Sequence, residues 1–208
     1  MKLYTKVLFF VVFNVFFLSS CGGTPEKSNM YIAPAELTEA EENLANLLGA
    51  NGTQFICDFK LNDTVQSVQV NTYELKDGKW QLIAGGGGHQ FTDGKGRLAL
   101  SSDRLEEGMR VALQSDSNEG STTYSSEPPE ESSGMSRATS WLQNPTEILY
   151  EKEIPLVVQV LTTQNTISSY GVEAFETPEE YAKHGYEHVY AVTIRFSEKP
   201  VSELDSGI

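Results

Sequence analysis

Two of the three histidines, His184 and His188, stand four residues apart, with Glu180 and Glu187 close by. On one helix face that spacing turns two imidazoles toward a single zinc ion, which would supply metal-assisted hydrolysis. Gly185 interrupts the run: a glycine there ends the helix just after His184. His188 instead joins the period-two row of Tyr190 and Val192, at the rim of a core. The spacing also departs from the HExxH form, and no third ligand is indicated. His184 and His188 are kept as candidate metal ligands only, and no metal or cofactor is expected.

Other residues of reactive type read as structural. Asp116-Ser117-Asn118-Glu119-Gly120 has the opening of a calcium loop, and Glu127 holds its twelfth position. Ser121 stands where that loop requires glycine, so a solvated turn is the expectation. Gly85 to Gly88 is not followed by Gly-Lys-Ser/Thr and is no phosphate loop. The pairs Glu106-Glu107, Glu130-Glu131 and Glu179-Glu180 are adjacent, so their side chains diverge instead of forming an acid/base dyad. Cys57 shares an alternating row with Phe55, Phe59 and Leu61, and Asp58 beside it disfavours a thiolate; it reads as a buried core thiol. Trp80 alternates with Leu82 and reads as core. Trp141, beside a polar stretch, is the aromatic expected to be exposed and the candidate for stacking on a sugar. No catalytic residue is assigned.

The chain has 208 residues, with 29 acidic and 15 basic side chains and a net charge of −14. One domain of ordinary size fits that length. The acidic balance and the lack of a Lys/Arg cluster exclude nucleic acid as a partner and predict a self-repelling monomer.

The N-terminus carries Lys2 and Lys6, then the apolar run Val7 to Phe17 interrupted by Asn14. That run is shorter than the roughly 20 residues a membrane-spanning helix needs, and it has the length of a signal-peptide core. It leads into Leu18-Ser19-Ser20-Cys21, which resembles the lipobox of bacterial lipoproteins, over residues 1–21 only. The resemblance implies cleavage before Cys21 and diacylglyceryl transfer to its thiol, which would hold the protein on the outer side of the cell membrane, facing away from the cytoplasm. Two acyl chains bury enough methylenes for stable anchoring where one is marginal. Removal of residues 1–20 takes away two lysines and no acid, moving the charge from −14 to −16.

After Cys21, residues 21–36 read as a tether of Gly, Pro, Ser and Glu. Thr38-Glu39-Ala40-Glu41 is a capping box that predicts a short helix to about Leu48, ended by Gly49. Period-two alternation predicts strands over 54–61, 68–73, 80–83, 96–100, 109–113 and 187–196, and a continuous apolar run predicts a buried one over 154–161. Asp77-Gly78 supplies a hairpin turn. Gly85 to His89 reads as a flexible connection and 115–140 as a mobile acidic loop, each without a core segment. Thr177-Pro178 opens a second short helix with Thr177 as cap, ended by Gly185. Seven or eight strands without βαβ alternation give an all-β fold: an antiparallel β-sandwich of roughly immunoglobulin-like proportions over residues 37–201, with one or two short peripheral helices and a tail over 202–208. The function expected is a non-enzymatic, membrane-anchored envelope module that binds a protein or glycan. A metal-assisted hydrolase and a carbohydrate-binding accessory are the alternatives.

Overall fold

A computed structural model describes residues 30–47, 53–125, 128–129, 132, 134–168 and 170–204. The chain runs through β1 (Tyr31–Pro34), α1 (Glu39–Leu47), β2 (Gln54–Lys60), β3 (Ser67–Lys76), β4 (Lys79–Ala84), β5 (Gly88–Gln90), β6 (Lys95–Ser101) and β7 (Gly108–Ser115). It continues through β8 (Glu119–Ser125), β9 (Ser136–Trp141), β10 (Thr146–Glu147), β11 (Ile154–Thr162), α2 (Glu179–Ala182) and β12 (His188–Ser197). The strands form two antiparallel sheets, and the molecule is an all-β sandwich. The first sheet has the order β10-β1-β2-β6-β7-β8; the second has β4-β3-β12-β11-β9, with β5 also pairing with β3.

Alternation explains the core. Phe55, Cys57 and Phe59 of β2, Leu98 and Leu100 of β6 and Met109, Val111 and Leu113 of β7 point inward and are buried. They meet Val68 and Val70 of β3 and Val192, Ile194 and Phe196 of β12. Phe59 packs edge-on against Phe196 and Phe91, with ring centroids 5.3 and 5.1 Å apart.

The central strands of the second sheet, β3, β11 and β12, are buried on both faces, which explains their nearly unbroken buried runs. Their outer face is covered by residues of 170–187, which carry a 3-10 turn (Val172–Glu176) and α2. Phe175 of that turn stacks on Trp80 at 5.0 Å and packs against Tyr73. The glycine run covers the rest: the Gln69 amide donates to the Gly86 carbonyl (3.0 Å), and the Gly86 N–H donates to Asn71 (2.9 Å).

Several expectations are corrected. The strands among the described residues number twelve, not seven or eight. The expected tether over 21–36 includes β1, which pairs with β2 and β10, so the folded unit starts before residue 37. Segment 115–140 carries β8 and most of β9: β8 pairs with β7 over seven residues and β9 pairs with β11 over six. Both are edge strands, whose polar side chains carry no alternation signal. The Gly85–His89 connection enters the second sheet through β5. Thr177 does not cap α2 with its side chain; its carbonyl accepts the Glu180 N–H, and Pro178 takes the cap position. The helix over 39–47, the Asp77-Gly78 turn with both residues at positive φ, and the stop at Gly185 (φ +62°) are as expected. Gly49, the lipobox with Cys21, and Glu127 lie outside the described residues.

Candidate functional site

The structure does not bring His184 and His188 to one ligand. His184 follows α2 over the outer face of the second sheet, where its ring stacks on Tyr186 at 5.2 Å and its Nε2 meets the Tyr170 hydroxyl. His188 opens β12 on the inner-facing row, stacks on Tyr190, and places Nδ1 3.2 Å from Glu74. The neighbouring carboxylates are committed elsewhere. Glu180 takes the Lys183 ammonium at 2.6 Å. Glu187 accepts hydrogen bonds from Thr162 and Thr163, which hold its carboxyl down at about 2. Among the described residues no three His, Cys, Asp or Glu side chains are grouped to hold a metal ion.

Trp141 is not the free aromatic that was expected. It ends β9 on the inner-facing row, half-buried, with its ring stacked on Phe55 at 5.6 Å and 14° between planes. The polar stretch before it is strand, and that strand delivers the ring to the core. Trp80 is also half-buried, its indole N–H donating to the Phe175 carbonyl at 2.8 Å. His89 lies in β5 opposite Val68. The calcium-like segment forms the β7–β8 turn: Asp93 accepts the Ser117 hydroxyl at 2.6 Å, and Asp116 pairs with Lys95 at 3.2 Å.

The described residues converge instead on the outer face of the first sheet, in an open groove of about 870 Å³. Register builds it. Asp58 of β2 faces Arg97 of β6 directly, and Tyr31 of β1 faces Lys60 of β2. Arg97 makes a two-pronged bond to Asp58, Nε at 2.6 Å and Nη2 at 2.9 Å, while its Nη1 reaches Glu41 of α1 at 2.8 Å. Glu41 also accepts the Thr38 N–H and hydroxyl, both at 2.7 Å, closing the capping box. The Thr38 bonds, aided by Arg97, hold the Glu41 carboxyl down at about 2. The Asp58 and Glu41 bonds in turn raise the Arg97 pKa further above neutrality.

This trio fixes three charges in place and docks α1 against the sheet. Beside it lie groups not used in that way: Tyr31 is 43% exposed, and Lys60 and Gln114 are exposed. The groove thus offers an aromatic ring, an ammonium and a side-chain amide beside an immobilised ionic floor. Sequence reading missed this site because the β2–β6 pairing passes over three intervening strands. The one local signal was that Asp58 and Arg97 each fall on the polar side of an alternating strand.

No helix among the described residues is long and apolar enough to cross a membrane. No curated protein and no solved structure matches the chain. A family model described as the YgaN domain matches residues 31–196, from the first residue of β1 to the penultimate residue of β12, and the chain belongs to the YgaN domain family.

Proposed function

We propose that this protein is a lipid-anchored, extracytoplasmic binding module, held at the cell membrane through Cys21 and presenting the groove of Tyr31, Lys60 and Gln114 to a ligand without chemical turnover. The observation that carries the reading is Leu18-Ser19-Ser20-Cys21 standing so close to Tyr31, the first residue of the sandwich. Ten residues of extended chain reach about 35 Å at most, so an anchor at Cys21 keeps the groove near the membrane plane. The ligand class that suits the groove is a neutral glycan. Tyr31 supplies a ring for an apolar sugar face, and Lys60 and Gln114 supply donors for hydroxyls.

The test is expression of the full chain in a bacterial host, with mass spectrometry of the N-terminal peptide. A peptide that starts at Cys21 and carries the mass of a diacylglyceryl group is the expected result, lost in Cys21→Ser. An unmodified Cys21 in the membrane fraction would overturn the anchor. For the groove, the amide signals of Lys60 and Gln114 are followed by NMR against a panel of neutral wall oligosaccharides. Shifts that disappear in Tyr31→Ala are expected; a panel that moves nothing refutes the glycan.

A further inference from the structure

Every sheet edge needs protection, because an unpaired row of N–H and C=O groups is a template for another strand. Three of the edges here carry recognisable devices. β10 is only two residues long. β4 opens with Lys79, and the β3–β4 ladder is bent by a register shift at Thr72/Tyr73. β9 turns Arg137 onto the inner-facing row, opposite Leu161. The fourth edge, β8, has none of these. Its seven residues Glu119-Gly-Ser-Thr-Thr-Tyr-Ser125 pair with β7 in unbroken register, contain neither Pro nor Lys, and have no strand on their other side among the described residues.

We propose that a second copy of this chain occupies that edge, β8 against β8 in antiparallel register about a two-fold axis at Thr122. The sequence of the strand is complementary to itself in that one register. Thr122 meets its own copy, and Ser121 meets Thr123, giving hydroxyl pairs of a kind that stabilise sheets. Gly120 meets Tyr124. A Cβ at Gly120 would find nothing within 4 Å, whereas Tyr124 shares the inner-facing row and is only half-buried. The partner's ring fills the space over Gly120 and covers Leu113, the β7 residue opposite it. Glu119, the strand's one charge, meets Ser125 and not another acid. On the outer face Arg110, exposed and opposite Thr123, lies toward the partner's Glu119 across small side chains, so two symmetric opposite-charge pairs favour this register. This local neutrality lets a strongly acidic molecule pair with itself, and two six-stranded sheets become one continuous sheet.

The test uses the full chain purified in detergent and oxidised mildly, with the wild type as background for Cys21 and Cys57. Thr122→Cys is expected to give a disulfide-linked dimer at least tenfold above wild type. Ser125→Cys is expected to stay at background, because the two-fold axis separates its copies by about 20 Å. Ser121→Lys with Thr123→Lys sets lysines directly opposite one another. Added to Thr122→Cys, the pair is expected to return the dimer to background with an unchanged circular dichroism spectrum, even though it lowers the net negative charge. Failure of Thr122→Cys to cross-link, equal cross-linking by Ser125→Cys, or a disulfide adduct with a different protein would each overturn the proposal.

Discussion

Glu41 shows how one carboxylate serves a helix and a sheet together. One oxygen closes the capping box with Thr38 and the other meets Arg97, so the start of α1 and its docking on the first sheet share one ionised group. Its folded-state pKa of about 2 lies below the ordinary 4.5. The stabilisation is therefore complete above about 4.5 and is lost as the pH falls toward 2. Removing the hydroxyl in Thr38→Ala should raise the Glu41 pKa part of the way from about 2 toward 4.5, because the Thr38 N–H and Arg97 still bond the carboxylate, as read by carbon NMR of the carboxyl; an unmoved titration would show that those two partners set it without the hydroxyl. Cys57 is the opposite case. Burial, followed by the charge of Asp58, pushes its thiol far above neutrality, and it is 0% exposed. Native protein should therefore resist iodoacetamide at Cys57 for hours at pH 8 and react within minutes in urea, as followed by mass spectrometry. Labelling of the native state at the urea rate would contradict the packing described.

Strands differ in how much of themselves they write into sequence, and the difference follows from burial. β2, β6 and β7 each bury one row, so their alternation is plain in Phe55-Cys57-Phe59 or Met109-Val111-Leu113. β8 and β9 sit at edges and are mostly serine, threonine and other polar residues; β1 is too short for a period to show. The groove at Tyr31 was hidden for a related reason, since its residues lie on four strands joined by non-local pairing. Turns were more legible where they needed glycine, yet two such glycines differ in what they carry. Gly78, at φ +72°, has open space around it, so Gly78→Ala should cost about 1 kcal/mol, the strain of a side chain in the left-handed region. Gly85, at φ +120°, would place a Cβ 2.6 Å from the Asn71 side-chain oxygen and 2.7 Å from the Val70 carbonyl. Gly85→Ala should therefore cost about 3 kcal/mol in urea unfolding, because the obstruction is partly backbone in a central strand. Equal costs at the two positions would mean that the backbone at Val70 and Asn71 gives way.

Across the whole molecule the two ends of the sandwich are closed by different physics. Near Phe196 the sheets are sealed by the rings of Phe59, Phe91 and Phe196, packed so closely that a Cβ at Gly96 would sit 2.6 Å from two of them. Near Tyr190 they are tied by polar groups. Glu106, 2% exposed, takes Arg104 at 2.9 Å and Arg137 at 3.3 Å, while Gln159 of β11 accepts the Leu105 N–H at 3.0 Å. Tyr190 and Phe196 are six residues apart on one strand, so the two ends are about 20 Å apart. Glu106→Gln leaves two guanidiniums facing a neutral amide and should cost about 2 kcal/mol, less than a fully buried pair because both arginines reach water. Phe59→Leu should cost about 1.5 kcal/mol from imperfect refilling of the ring volume. If each end is a separate closure of one cooperative core, the double variant loses the sum of the two within about 0.5 kcal/mol in urea denaturation. A coupling above about 1 kcal/mol would instead mean that the shared strand β12 passes strain from the ring cluster to the charged end, and that the sandwich yields as one sprung layer.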